Sequence, residues 1–349
     1  MPASLDELLK SVSRSFYLSL RILPADIRPA MGLGYLLCRA ADTVADTEIL
    51  PPGDRLTLLS EMKAAFGTFP LSPERARAIA ERIQAALSGD KSAERALLER
   101  FNQAVSALFL LSKTDQALVQ RVVVGVLNGM EMDLRTFGTA GGNEKVAALG
   151  TDAELERYLE WIGGEPGRFW TDLCVTHRPA LQQRLESLRA DGIRLGTGLQ
   201  LVNILRDLPV DLKNGRCYVP LERLSAAGLT PQDLRDPENA GRFLPIYHEL
   251  IDSAIERMKC GLRYVEAVPA RQFGMRAAVW WPVVIGLRTL GMLRDSRTVL
   301  AGDERVKVGR KEVYWLLLTS SATMPFNRLL RADFDDLASA ASSSSGLGH

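Results

Sequence analysis

Two stretches of this chain repeat one arrangement of charge. In YLLCRAADTVADTE, residues 35 to 48, a helical repeat puts Tyr35, Arg39, Asp42 and Asp46 at i, i+4, i+7 and i+11. A phenol, a cation and two carboxylates then share one stripe, while Leu36, Leu37, Cys38, Ala40 and Ala41 cover the other faces. Taken alone, such a stripe is an ordinary solvated helix face. The pattern returns in GLQLVNILRDLPVDLKNGRCYVP, residues 198 to 220, where Gln200, Asn203, Asp207 and Asp211 fall at i, i+3, i+7 and i+11. Arg206 again precedes the first aspartate, and Leu199, Leu201, Val202, Ile204 and Leu205 are apolar. Pro209 is expected to break or kink this helix near its end and to release Asp211 into the basic loop 213–216.

Two such stripes on otherwise apolar helices suggest a shared chamber. Carboxylates facing one another would repel, since two like charges about 4 Å apart cost about 4 kcal/mol at an effective dielectric of about 20. A cation must then sit among them. Carboxylate oxygens without histidine or cysteine select a hard divalent ion, and Mg²⁺ typically takes one or two protein carboxylates, waters and substrate phosphate oxygens. Aspartate pairs beside arginines therefore describe a site for a diphosphate carried by metal. In an apolar, aromatic interior the matching chemistry is ionisation: the departing pyrophosphate is stabilised while a dry chamber shelters the carbocation. The bland alternative is a pair of ion-paired surface helices.

The elements that must position these residues are helices. Segments such as 73–87, 93–111 and 115–137 have helical periodicity, strict period-two alternation is lacking, and breaks such as ILPPGD (49–54) and GLTPQ (228–232) are short. We read an all-α bundle of roughly ten or more helices with a central cavity, one catalytic domain over residues 1–338 and a disordered tail over 339–349. The 349 residues are 46% hydrophobic with a formal net charge of +1, which argues against a bulk nucleic-acid binder. The four cysteines and three histidines are scattered, so reduced thiols and no zinc site are expected. Asp6 and Glu7 stand where a signal peptide would have its apolar core, and AAVWWPVVIGL (277–287) is too short to span a bilayer. A cytoplasmic protein, soluble or peripheral at the membrane, is expected. Phosphate-loop, G-x-S-x-G and HExxH motifs are absent.

From about residue 11 to 325 the ordered motifs resemble the squalene and phytoene synthases, head-to-head isoprenyl transferases. SRSF (13–16) looks like the family's N-terminal diphosphate-contacting segment, and YLLCRAADTVADT is similar to its first aspartate motif. GMEMDL (129–134) resembles a mid-chain motif, YLEWIGGEPG (158–167) the Tyr-x-x-Tyr-Val-Ala-Gly segment, and QLVNILRDLPVDLKNGRCYVP the second aspartate motif. The resemblance implies that Asp42, Asp46, Asp207 and Asp211, assisted by Asn203, bind Mg²⁺, with Mn²⁺ as a substitute. It assigns Ser13, Arg14, Arg39, Arg206 and Gln200 to diphosphate oxygens. Tyr35 and Tyr158 become candidates for proton abstraction or cation stabilisation, and Phe16, Leu37 and Val202 for the prenyl channel or the core. Ala45 and Val210 replace the acidic residue usual before the last aspartate of each motif, and Trp161 stands where a second tyrosine is common.

Branches of the family differ in how the second cation is quenched: hydride from NADPH gives squalene, proton loss gives phytoene or dehydrosqualene, and water gives hydroxysqualene. RVKVGRKEVYWLLL (305–318) resembles the basic loop and following helix of squalene synthases, so Lys307, Arg310 and Lys311, with Arg305, are expected to meet NADPH phosphates. The expected activity is that of a monomeric squalene synthase acting on prenyl diphosphates, with phytoene and hydroxysqualene synthases as alternatives. GMEMDL leans towards the phytoene branch. A noncatalytic assembly subunit is the reading from another class, and the intact aspartate pairs argue against it.

Overall fold

The fold is described from a computed structural model, which covers residues 7–10, 20–87, 100–138, 145–296, 300 and 306–343. Thirteen α-helices lie among these residues, and the one sheet among them is a parallel pair of two-residue strands. The all-α expectation therefore holds. The helices belong to two compact units, residues 1–135 with 168–185, and residues 136–167 with 186–349.

In the first unit, α1 (Arg28–Asp46) packs on α2 (Pro52–Phe66) and on α4 (Phe101–Leu108), and α3 (Pro73–Ala86) packs on both α2 and α4. Helix starts follow from local chemistry. Proline occupies the first turn of α1, α2 and α3, where its missing N–H costs nothing, and Ser72 caps α3 by accepting from the Arg75 N–H at 3.3 Å. Leu33, Leu36, Leu37, Ala40, Ala41 and Val44 of α1 are buried, so the polar stripe takes the remaining face. The long α5 (Lys113–Phe137) is tied to α2: Gln120 donates to the carbonyls of Phe66 and Thr68 at 2.9 Å, and Lys63 pairs with the buried Glu131. A side-chain carbon at Gly34 of α1 would come within 2.9 Å of the Phe169 ring, so the missing Cβ is what admits that ring.

In the second unit, α6 (Asp152–Leu159) continues into a π-helical turn, Glu160–Gly164; α7 (Glu165–His177) begins there, and its residues from Arg168 on belong to the first unit. The 29-residue α8 (Leu185–Lys213) crosses this segment. A Cβ at Gly163 would lie 2.2 Å from the Gly196 carbonyl oxygen, and one at Gly167 would lie 2.1 Å from that of Gly192. Two glycine pairs therefore let backbone meet backbone. Past the end of α8, β2 (Arg216–Cys217) pairs in parallel with β1 (Ala147–Ala148), which precedes α6, and the short α9 (Leu221–Ala226) follows. The rest is a packed group: α10 (Ala240–Ala267) on α11 (Phe273–Arg294), α12 (Arg310–Thr323) on α11, and α13 (Asn327–Ser342) on α10, α11 and α12. The tail expected to be disordered from residue 339 is therefore helical as far as Ser342, and within it Ala341 is buried and its carbonyl accepts from Arg294. Among the described residues no helix is long and apolar enough to cross a membrane.

Candidate functional site

On α1 the first stripe forms as its spacing predicts. Tyr35, Arg39 and Asp42 are half-buried along one face and Asp46 is exposed at the last turn. Arg39 pairs with Asp42 one turn on. Burial, first, and then the charges of Asp46 and Asp133 push the Asp42 carboxyl up to about 6, against the pull of Arg39. Asp133, from GMEMDL, is thus a charged neighbour of the stripe. The same surroundings push the thiol of the half-buried Cys38 up to about 12, through burial and then Asp42, which favours the protonated thiol. The end of α1 is held by Arg55, whose Nη1 donates to the Ala45 carbonyl at 2.7 Å. A guanidinium there complements the helix dipole and leaves Asp46 in its register. The side chain of Ala45 is buried, so an acidic residue at this position would face the packing and not the stripe.

On α8 the second stripe also forms, by different contacts. Gln200, Asn203, Arg206, Asp207 and Asp211 are all half-buried, with Leu201, Val202, Ile204, Leu205, Leu208 and Leu212 buried behind them. Asn203 Nδ2 donates to Gln200 Oε1 at 3.2 Å. Arg206 grips Asp207 with two bonds, Nε to Oδ1 at 2.8 Å and Nη2 to Oδ2 at 2.9 Å. That bidentate pairing, the strong geometry for carboxylate, raises the Arg206 pKa further.

The expectation that Pro209 breaks α8 is wrong: the helix runs through it to Lys213, and Asp211 stays on the helix rather than in the loop. Proline has no N–H for the carbonyl four residues back, that of Leu205. The buried Tyr247 of α10 supplies the missing donor, its hydroxyl reaching Leu205 O at 3.0 Å. Arg235 closes the helix end, donating to Leu212 O at 3.1 and 2.9 Å.

Tyr158 is buried at the end of α6, and its ring lies 4.9 Å from that of Tyr218, which in turn meets Phe137 edge-on at 5.0 Å. Sequence reasoning missed Tyr218 and Phe137. The available signal was an aromatic residue just past the basic loop of the second aspartate motif. Trp161 sits half-buried in the π-helical turn. Leu37 and Val202 are buried in the packed faces of α1 and α8. Lys307 is exposed before α12, and Arg310 and Lys311 are exposed in its first turn. Ser13, Arg14, Phe16 and Arg305 lie outside the described residues.

Among the described residues no group of three or more His, Cys, Asp or Glu side chains forms a ready metal cage. The donor sets nevertheless fit magnesium, which binds through one or two carboxylates and completes its shell with water and phosphate. Asp42 resists ionisation among other carboxylates, the condition that an added divalent cation relieves.

Comparison with known proteins is consistent across sequence and fold. Residues 9–312 match the family described as squalene/phytoene synthase. A bifunctional lycopene cyclase/phytoene synthase of Colletotrichum graminicola is 29% identical over 88% of this chain and 49% of its own length. The squalene synthase ERG9 of Saccharomyces cerevisiae is 25% identical over 87% of this chain and 64% of its own. This chain spans about half the length of the bifunctional relatives. Among solved structures, TcSQS in complex with the ligand E5700 superposes with a TM-score of 0.73 at 21% identity, covering 98% of both chains. A dehydrosqualene synthase in complex with ligand gives 0.61 at 20% identity over 92% of this chain and 95% of its own. With its ordered motifs on the helices that such a fold requires, the chain belongs to the squalene/phytoene synthase family.

Proposed function

We propose that the chain is a magnesium-dependent prenyltransferase that joins two prenyl diphosphates head to head, with residues 1–338 working as one catalytic domain. The observation that carries this reading is the pair of half-buried stripes, each with two aspartates and an arginine on an otherwise apolar helix. In the first half-reaction the C1–O bond of one substrate breaks, and both electrons leave with the pyrophosphate. The double bond of the second substrate attacks the resulting carbon, and loss of one proton closes a cyclopropane that keeps the second diphosphate. Bound Mg²⁺ would neutralise the departing pyrophosphate. Asp42, Asp46, Asp207 and Asp211, with Asn203, would hold it.

Arg39 and Arg206 sit beside those carboxylates and donate to diphosphate oxygens as charge develops there. Arg206 can do so while keeping both bonds to Asp207, since these use Nε and one N–H of Nη2 and leave the Nη1 donors for the diphosphate. Tyr158, buried against Tyr218, offers a hydroxyl for the proton and a ring face for the cation. Tyr158→Phe is expected to lower turnover roughly 10²-fold with little change in substrate affinity. Unchanged kinetics would assign Tyr158 to packing.

For the second half-reaction we favour squalene. The second diphosphate leaves, and hydride from NADPH reduces the rearranged cation. The support is the exposed basic group Lys307, Arg310 and Lys311, whose fit to the nucleotide is one of charge. A second reading, proton loss to a phytoene-type product, is favoured by the relatives named phytoene synthases, at 27% and 29% identity. Incubation with C15 and C20 prenyl diphosphates, with and without NADPH, separates the two by product. Squalene formed only with NADPH supports the first. A product indifferent to NADPH refutes it, and absence of any condensation refutes the family of readings.

A further inference from the structure

Helix α12 gives one side to the bundle and leaves the other bare. Leu316 and Ser320 are buried, and Trp281 of α11 donates to Ser321 Oγ at 3.2 Å. On the opposite side Tyr314, Trp315 and Leu318 are 64%, 63% and 72% exposed, and Lys311 and Ala322 share that side by helical position. Phe326, 60% exposed, and Leu329 follow in the chain, where α13 begins. The bare side of α12 holds no carboxylate. Glu312 lies on another side and accepts from Arg288 at 2.5 Å. Lys307, Arg310 and Arg328 flank the aromatic residues and are exposed, while the acidic Asp335 and Asp336 lie further along α13. Tyrosine, tryptophan and leucine beside lysine and arginine is the composition that settles at the headgroup level of a bilayer.

We propose that this side of α12, comprising Lys311, Tyr314, Trp315 and Leu318 with Phe326 at its end, docks on a membrane surface rich in anionic lipid. A second copy is a poor occupant: a two-fold contact through this face would set its basic residues against their own counterparts. The anionic bilayer meets both halves of the surface, apolar and basic. The proposal goes beyond the reaction, and it bears on the choice of product: a Lys311 turned to the lipid leaves Lys307 and Arg310 for the phosphates of NADPH.

The test is cosedimentation of the whole chain with vesicles of phosphatidylcholine alone, or mixed with phosphatidylglycerol. The wild type is expected to bind the anionic vesicles roughly ten-fold better, and to release them at high salt. The combined variant Tyr314→Ser, Trp315→Ser, Leu318→Ser should fall to the phosphatidylcholine background with unchanged circular dichroism. Arg328→Glu should fall part-way. A wild type that ignores both vesicles, or a triple variant that binds like the wild type, overturns the proposal. A wild-type dimer that the triple variant turns into a monomer, with no vesicle binding, would give the face to a second copy.

A different observation carries a second inference, which rests on the diphosphate reading above. Asp207 and Asp211 lie on either side of Pro209, so their common spacing depends on helix geometry surviving a proline. The geometry points to Tyr247 as the positioning residue that keeps it: its hydroxyl replaces the N–H that Leu205 O would otherwise lack. Its ring is set 5.7 Å from that of Phe243, one turn back on α10. Three proteins test this: Tyr247→Phe, Pro209→Ala, and the two combined. The tyrosine variant should speed amide exchange over residues 210–213. It should also weaken magnesium-dependent binding of inorganic pyrophosphate roughly ten-fold. Adding Pro209→Ala supplies a backbone donor to Leu205 and should bring both measurements back to within about two-fold of wild type. A tyrosine variant that changes neither, or an equal loss with and without the proline, overturns the assignment. If the exchange pattern holds while even the wild type binds no pyrophosphate, the diphosphate reading fails and the backbone role of Tyr247 stands.

Discussion

α1 and α8 carry the same chemistry on scaffolds of different kinds. Both end under an arginine from elsewhere in their unit, Arg55 on Ala45 O and Arg235 on Leu212 O. Between their ends they diverge. α1 is an unbroken helix whose Asp42, although paired with Arg39, is made hard to ionise by burial and then by the neighbouring carboxylates. α8 holds its first aspartate by two bonds from Arg206 and carries the helix through Pro209. At Gly34 of α1 the close neighbour is a side chain, the Phe169 ring, whereas at Gly196 of α8 it is backbone. One first aspartate thus resists ionisation in a buried setting beside its arginine, and the other is gripped by two bonds on a rigid crossing.

The largest expected effect tests whether the two pairs are equally needed. Asp42→Asn and Asp207→Asn should each lower turnover roughly 10²–10³-fold, since each removes a charge from the leaving-group site. A product assay on purified, helical protein reads this, and near-normal turnover in one variant would show that only the other helix does the work.

The next effect separates the scaffolds. Gly196→Ala places a Cβ 2.0 Å from the Gly163 carbonyl oxygen, where only backbone can yield, and should cost about 1–3 kcal/mol of stability despite alanine's better helix propensity. Gly34→Ala meets a ring that can turn, so its cost should be smaller, about 1 kcal/mol or less once propensity offsets the contact. Chemical denaturation of both variants decides it, and equal losses would erase the distinction.

The smallest effect concerns charge in the absence of metal. Asp42 ionises at about 6 in the fold and at its ordinary 3.8 when unfolded, so the unfolded chain gives up that proton first. Stability from this group therefore falls as pH rises from about 4 to 6, and stays reduced above that. Metal-free Asp42→Asn should melt above wild type at pH 7 by a few degrees, with the gain vanishing near pH 4, whereas Asp207→Asn should melt lower because Arg206 loses its partner. Parallel melting curves across pH would test both, and the same sign of shift in the two variants at pH 7 would defeat the comparison.

Spacing made both stripes legible, because residues three and four apart must share a helix face. The buried leucines and alanines behind them followed from the same periodicity. Pro209 was misleading because its remedy, Tyr247, lies far along the chain, and local rules for proline do not include a donor from another helix. The glycine crossing was half legible: Gly163 and Gly167, like Gly192 and Gly196, are spaced four apart, yet nothing local says that one pair meets the other. The aromatic group around Tyr158 was hidden for the same reason, since Tyr218 and Phe137 reach it from separate elements.

The π-helical turn at Glu160–Gly164 takes in a residue without spending an angle. A π turn holds one residue more than an α turn, so the extra residue is absorbed inside one wide turn, and the helix on either side keeps close to the phase of a chain one residue shorter. An insertion into an ordinary α turn would instead swing one side against the other by about 100°. Tyr158 on the N-terminal side and the crossing of Gly163 and Gly167 with α8 therefore keep their relation across the turn. What the five residues add is a place in the wall of the helix, and Trp161 stands in it.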